Sequence, residues 1–153
     1  MDLESAIEST EKLLQAATKE VLIYDGPFDP KLYGNEMVVR QIKDAIDRDV
    51  NVEVICDESA QVPSPVIAGL VNQGKILLYR RKFEKEPLKG LRRLIGLYPQ
   101  MHMDAGHYIV VDGWHVRKET PHAVNSDIRR ALISYVDEHA PKYVRHFRHI
   151  SQT

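Results

Sequence analysis

The chain has 153 residues, enough for one hydrophobic core and too few for two, and its 43% hydrophobic and 28% charged composition excludes a disordered or fibrous protein. Twenty-one Lys and Arg stand against 22 Asp and Glu, a net charge of -1. That does not supply the global positive field of a dedicated nucleic-acid binder, so nucleic acid is a possible partner that the net charge does not favour, and any anion site must be local.

Leu3, Ile7, Leu14 and Ala17 recur at helical spacing, so residues 2 to 18 read as an amphipathic helix. Val21 to Tyr24 then reads as a short buried strand, ended by the turn residues Asp25-Gly26-Pro27 and Asp29-Pro30. Asn35 caps a second helix through Val38, Ile42, Ala45 and Ile46, and Val50 to Cys56 is the second strand. Pro63-Ser64-Pro65 starts a third helix carrying Ile67, Leu70 and Val71, stopped at Asn72-Gln73-Gly74, and Lys75 to Tyr79 is the third strand.

Residues 80 to 100 break this rhythm. Arg80, Arg81, Lys82, Lys85, Lys89, Arg92 and Arg93 face only Glu84 and Glu86, seven positive charges against two negative. The segment reads as a basic excursion, suited to phosphates, an anionic surface or a partner, or to covering the core with its cations in water. His107 to Gly113 reads as a strand entering an Asp-Gly hairpin, with Trp114 to Lys118 returning. Ser126 or Asp127 then caps a helix bearing Ile128, Leu132, Tyr135 and Val136, and Pro141 begins a last helix with Tyr143, Phe147 and Ile150.

Strands alternating with helices imply one α/β domain over residues 1–153, an open, mostly parallel or mixed sheet flanked by helices, because parallel strands need crossover connections. The single cysteine, Cys56, lies in an apolar run and reads as a core thiol; it permits no intrachain disulfide. Together with an N-terminus that lacks the pattern of a secretory signal, this implies a reducing, cytoplasmic setting. No apolar stretch reaches the about 18 residues of a membrane span. The sequence shows no repeat or linker and no standard cofactor or metal pattern, so no cofactor is expected.

The element order resembles one half of a phospholipase D superfamily enzyme. The anchor is Ala105-Gly106-His107-Tyr108-Ile109-Val110-Val111-Asp112-Gly113. It is similar to that family's signature of His, any residue, Lys, four residues and Asp. The closing Tyr143-Val144-Arg145-His146-Phe147 also looks like the family's aromatic final helix. The resemblance implies a histidine that attacks a phosphodiester, a lysine that neutralises its oxygens, an aspartate that orients a histidine, and, for a single half, a homodimer. Position by position, the nucleophile is replaced by Ala105 and the lysine by His107, while Asp112 is kept. Downstream, Glu119-Thr120-Pro121-His122 retains only the hydroxyl of Thr120 from the family's Gly-Ser element.

Three functional readings follow. The first is a noncatalytic phospholipase D-like module that binds a phosphate-containing ligand or a protein partner, its ligand groups drawn from His107, Thr120, His122, Arg80, Arg81, Arg92 and Arg93. The second is a phosphodiesterase that uses His107, Asp112 and His102 in a homodimeric site. The third is a regulatory domain whose context lies on another chain or a fused neighbour. His102, Asp104, His107, His115 and His122 fall close in sequence, and their spacing fits no standard zinc pattern. His139, His146 and His149 lie among cations on amphipathic helices and read as solvated. Asp25, Asp29 and Asn35 read first as turn and cap residues, and second as ligands at the edge where open α/β sheets bind them.

Overall fold

The computed structural model describes residues 2–83, 106–119, 131–134 and 138–153. In chain order its elements are α1 (Leu3–Ala16), β1 (Glu20–Tyr24), α2 (Pro30–Tyr33), α3 (Glu36–Asp47), β2 (Asn51–Asp57) and α4 (Pro65–Asn72). They are followed by β3 (Ile76–Arg81), β4 (His107–Val111), β5 (His115–Glu119), β6 (Ala131–Ser134) and α5 (Ala140–Gln152).

The helix starts follow the expected chemistry. Asp2 accepts from the Ser5 N–H at 2.9 Å, Asn35 from Met37 at 2.9 Å and Ser64 from Ile67 at 3.1 Å, each satisfying a donor that the first turn leaves unpaired. Pro65 and Pro141 sit in the first turns of α4 and α5, where a missing N–H costs nothing.

The six strands form one sheet in the order β3-β2-β1-β4-β5-β6. β1 pairs in parallel with β2, and β2 with β3, while the β1–β4, β4–β5 and β5–β6 pairings are antiparallel. The sheet is therefore mixed: the βαβ half supplies the parallel strands and the hairpin half the antiparallel ones.

Two expectations are corrected here. The helix expected from residue 126 to 136 is a strand over Ala131–Ser134, paired with β5 from Val116↔Ser134 to Glu119↔Ala131. Pairing with an open edge overrides the helical spacing of the apolar residues. Arg80 and Arg81 close β3 and do not open the basic excursion, since Cys56 and Asp57 continue the ladder to them.

Strand alternation divides the core. Val21, Ile23, Val52, Val54, Cys56, Ile109 and Val111 meet Leu13, Leu14, Val38, Ile42 and Ile67 from α1, α3 and α4 on one face. Leu22, Ile55, Tyr108, Val110 and Val116 meet Ala140 and Phe147 of α5 on the other. Side chains of this size stabilise by about 1.5–3 kcal/mol each when fully buried. The buried stripe of α1 also takes in Ser9 and Thr10, whose hydroxyls bond back to the Ala6 carbonyl.

Candidate functional site

The chemistry gathers at the edge of the sheet where the parallel strands end. Tyr24 pairs with Ile55 on one side and with Tyr108 on the other, so the next residue, Asp25, falls between Cys56 and His107. Cys56 is itself paired with Arg80, and His107 with Glu119. Five neighbouring strands thus place Arg80, Cys56, Asp25, His107 and Glu119 in one row, with Asp25, His107 and Glu119 on the α1-covered face.

At the centre of this row, His107 Nδ1 lies 3.2 Å from Asp25 Oδ1, and the side chains are 16% and 2% exposed. Asp29, Glu119 and Arg117 are equally buried. Arg117 pairs with Glu119 and donates through Nε to Ser9 Oγ of α1 at 3.0 Å. Asp29 also caps α2, accepting from the Lys31 N–H at 2.9 Å. The described cluster holds three carboxylates and one guanidinium around the imidazole.

Desolvation pulls His107 toward the neutral form, but the Asp25 contact, then the Asp25 charge, Glu119 and Asp29, outweigh it and hold the imidazole above its ordinary value. Burial, followed by the charge of Asp25, pushes the Tyr33 phenol well up. Burial also raises the Cys56 thiol, which is fully enclosed, as expected of a core cysteine.

Asp112 does not join this site. It lies five residues along from His107, beyond the other end of β4 and roughly 17 Å away at strand rise. Its carboxylate accepts from the N–H groups of Thr18 (2.9 Å), Lys19 (2.8 Å) and Glu20 (3.0 Å) and from the Thr18 hydroxyl (2.9 Å). Within the described residues of this chain, this carboxylate fastens the start of β1 to the hairpin.

Arg80 donates to the carbonyls of Glu58 (3.2 Å) and Ala60 (2.6 Å). Arg81 donates to those of Ile150 (3.0 Å) and Ser151 (2.8 Å) at the end of α5. Both guanidinium groups hold the fold together. His115 pairs with Val111 at the far end of β5 from Glu119, so it does not converge with His107. Ala105, His102, Thr120, His122, Arg92 and Arg93 lie outside the described residues. Among the described residues no three His, Cys, Asp or Glu side chains gather as metal ligands.

Of the C-terminal histidines, His139 and His149 are exposed as expected, but His146 faces the sheet, 2.7 Å from the Tyr108 hydroxyl. Tyr24 stacks on Tyr108 at 4.9 Å, and Phe83 and Tyr143 complete an aromatic group beneath α5. Sequence reasoning missed Glu119, Arg117 and Ser9. The available signal was the pair of small polar residues, Ser9 and Thr10, inside the apolar stripe of α1.

A mixed sheet with helices on both faces and buried polar groups at the parallel strands' C-terminal edge is an α/β fold, and its likeness among solved structures includes a phospholipase D family member. Two solved structures carry that likeness. TrmBL2, an archaeal chromatin protein whose structure shows a novel mode of DNA binding, matches with a TM-score of 0.65 and 14% identity over 97% of this chain and 49% of that one. Nuc from Salmonella typhimurium, a phospholipase D family member, matches with a TM-score of 0.55 and 15% identity over 92% of this chain and 83% of that one. The chain thus spans about half the length of the chromatin protein. No protein-family model matches the chain, and no curated protein matches it. Among the described residues no helix is long and apolar enough to cross a membrane.

Proposed function

We propose that this domain is a noncatalytic module of phospholipase D-like fold that works by binding. The observation that carries this reading is the Asp25–His107–Glu119 row. His107 is 16% exposed and its Nδ1 lies 3.2 Å from Asp25, with Asp29 and Glu119 buried beside it, so a phosphodiester brought to this imidazole meets carboxylates. The replacement of the family's nucleophile by Ala105 points the same way.

Of the two occupants that the sequence leaves open, a phosphate-containing ligand and a protein partner, the edge favours the partner. A phosphate brought to His107 meets Asp25, Asp29 and Glu119 as well, and the guanidinium groups of Arg80 and Arg81 are engaged with carbonyls. The likeness to about half of a longer chromatin protein supports a role as one part of a larger assembly. The net charge of -1 does not make this domain the part that grips nucleic acid.

The test is hydrolysis of bis(p-nitrophenyl) phosphate by the full chain, with calorimetric titration of inorganic phosphate alongside. The expected result is a rate equal to that of His107→Ala and no saturable heat. Hydrolysis lost in His107→Ala and kept in His146→Ala would overturn this reading. It would favour a second one, a homodimeric phosphodiesterase in which the Asp25–His107 pair acts as general acid and base.

A further inference from the structure

On the α1 side of the sheet, exposed lysines are paired along their own helix. Lys12 reaches Glu8 Oε1 at 2.7 Å across one turn of α1, and Lys43 reaches Asp47 Oδ2 at 2.5 Å across one turn of α3. Helix α5 is built differently. Between Ala140 and Gln152 it carries Lys142, Arg145, His146, Arg148 and His149 and no carboxylate. Arg148 turns to Glu53 and Glu20, whereas Lys142, Arg145 and His149 are exposed. Positions i, i+3 and i+7 share one side of a helix, so these three form a stripe about 10 Å long, opposite the side on which Ala140 and Phe147 are buried.

Helix stability does not account for this stripe. Lys142 lies in the first turn, where the positive end of the helix dipole disfavours a cation, and that turn holds no acidic residue. Arg145 stands one turn from Lys142 on one side and one turn from Arg148 and His149 on the other, and like charges at those spacings destabilise a helix. Glu138, just ahead of α5, lies 3.7 Å from His139 Nε2. Among the described residues none of the three stripe side chains is bonded to a carboxylate. Cations that oppose their own helix and face solvent suit an anion supplied from outside.

We propose that the outer face of α5, through Lys142, Arg145 and His149, docks an acidic segment of a partner protein. The inference rests on the protein-binding reading above, and it gives that partner a surface and a charge. A stripe about 10 Å long matches about three carboxylates along one side of a peptide. It is too short to hold a long polyanion. Affinity for nucleic acid grows with the number of phosphates neutralised, and past the stripe a duplex meets exposed Glu138 and a chain of net charge -1. The helix itself is firmly seated, with Phe147 buried and Arg81 donating to the Ile150 and Ser151 carbonyls, so little ordering is lost when the stripe is bound.

The test is fluorescence anisotropy of a labelled oligoglutamate of about ten residues titrated with the full chain at about 0.05 M salt, with a duplex DNA of about 20 base pairs as the second probe. Saturable binding of oligoglutamate is expected. It should weaken several-fold in Lys142→Glu, at least about tenfold when Arg145→Glu is added, and not at all in Lys43→Glu on α3. Thermal unfolding of Lys142→Glu should shift upward by about 1–2 °C, because an acid suits the first turn and faces Arg145 and His146. That shift separates lost docking from lost structure. Oligoglutamate binding that is absent, or indifferent to the α5 substitutions, would overturn the proposal. So would duplex DNA held more tightly than oligoglutamate and released by the same substitutions, which would make the stripe a nucleic-acid surface. Neither result bears on the absence of turnover, which His107→Ala tests separately on the other face of the sheet.

Discussion

Asp112 closes the β4–β5 hairpin by gripping Thr18, 94 residues earlier, accepting from both its N–H and its hydroxyl at 2.9 Å. The same carboxylate accepts from Lys19 and Glu20, so one side chain satisfies the backbone at the start of the central strand. Desolvation opposes the charge, but the three N–H groups and the hydroxyl outweigh it and hold the carboxyl below its ordinary value. Asp112 also sits at a φ of 54°, a conformation that asparagine tolerates and alanine does not.

Asp112→Asn is therefore expected to lower stability by about 1.5–3 kcal/mol, the range for hydrogen bonds to a charged acceptor, and Asp112→Ala by more. Urea unfolding measures both. Because the folded carboxyl is depressed, its contribution is present above the unfolded value and is lost as pH falls through the folded one. The wild type and Asp112→Asn should begin to converge below about pH 4 and meet only once pH has fallen below the depressed folded value. Loop amides near His107 should be unchanged in either variant, since Asp112 lies at the opposite end of β4.

The sequence reveals the βαβ half because its signals are local. Asn35, Ser64 and Pro65 cap helices wherever the chain goes, and β-branched runs bounded by turn residues read as strands in any context. It does not reveal the hairpin half as well. Residues 131–134 carry helical spacing, and only pairing with β5, a nonlocal event, makes them a strand. The candidate site follows the same division. Asp25 and His107 each read as edge residues, but their contact depends on the register of two strands more than 80 residues apart in sequence. Glu119 and Arg117 alternate with Val116 and Lys118 as on a solvated strand, and it is the cover supplied by α1, through Ser9, that makes that face an interior.

Arg148 fastens α5 to the sheet, donating to Glu53 Oε1 of β2 and Glu20 Oε2 of β1, each at 2.8 Å. Glu53 is nearly enclosed and also accepts from Asn51 (2.7 Å) and Tyr79 (3.1 Å). Removing one partner of a buried pair leaves a charge without compensation, a loss of about 3–5 kcal/mol. Arg148 is 36% exposed, so solvent screens part of this. Arg148→Met is expected to destabilise by about 2 kcal/mol, and adding Glu53→Gln should recover part of the loss. A double-mutant cycle in urea checks both; strict additivity would dismiss the clamp.

Cys56 is predicted to be silent toward thiol reagents in the native state. It is fully buried in the α1-side core, and burial raises its thiol so that little thiolate forms. Ellman's reagent at mildly alkaline pH should release no colour from the folded chain and one equivalent after denaturation. Rapid reaction of the folded chain would mean that the end of β2 opens far more often than its burial allows.

Phe147 tests whether α5 is an integral part of the core. It is fully buried against Leu22, Ile55, Tyr108, Val110 and Val116, and its ring meets Tyr79 edge-on at 6.4 Å. Phe147→Ala removes a large side chain from a face that, among the described residues, α5 covers, and such truncations cost about 3–5 kcal/mol because the surroundings relax only in part. His149, two residues on and exposed, is the matched control, and His149→Ala should change stability by less than about 0.5 kcal/mol. Urea unfolding gives the magnitudes, and limited proteolysis locates the damage. In Phe147→Ala, cleavage should concentrate between residues 138 and 153, ahead of the α1–α4 face. Equal proteolysis of both faces would instead mean that the two sides of the sheet unfold as one unit.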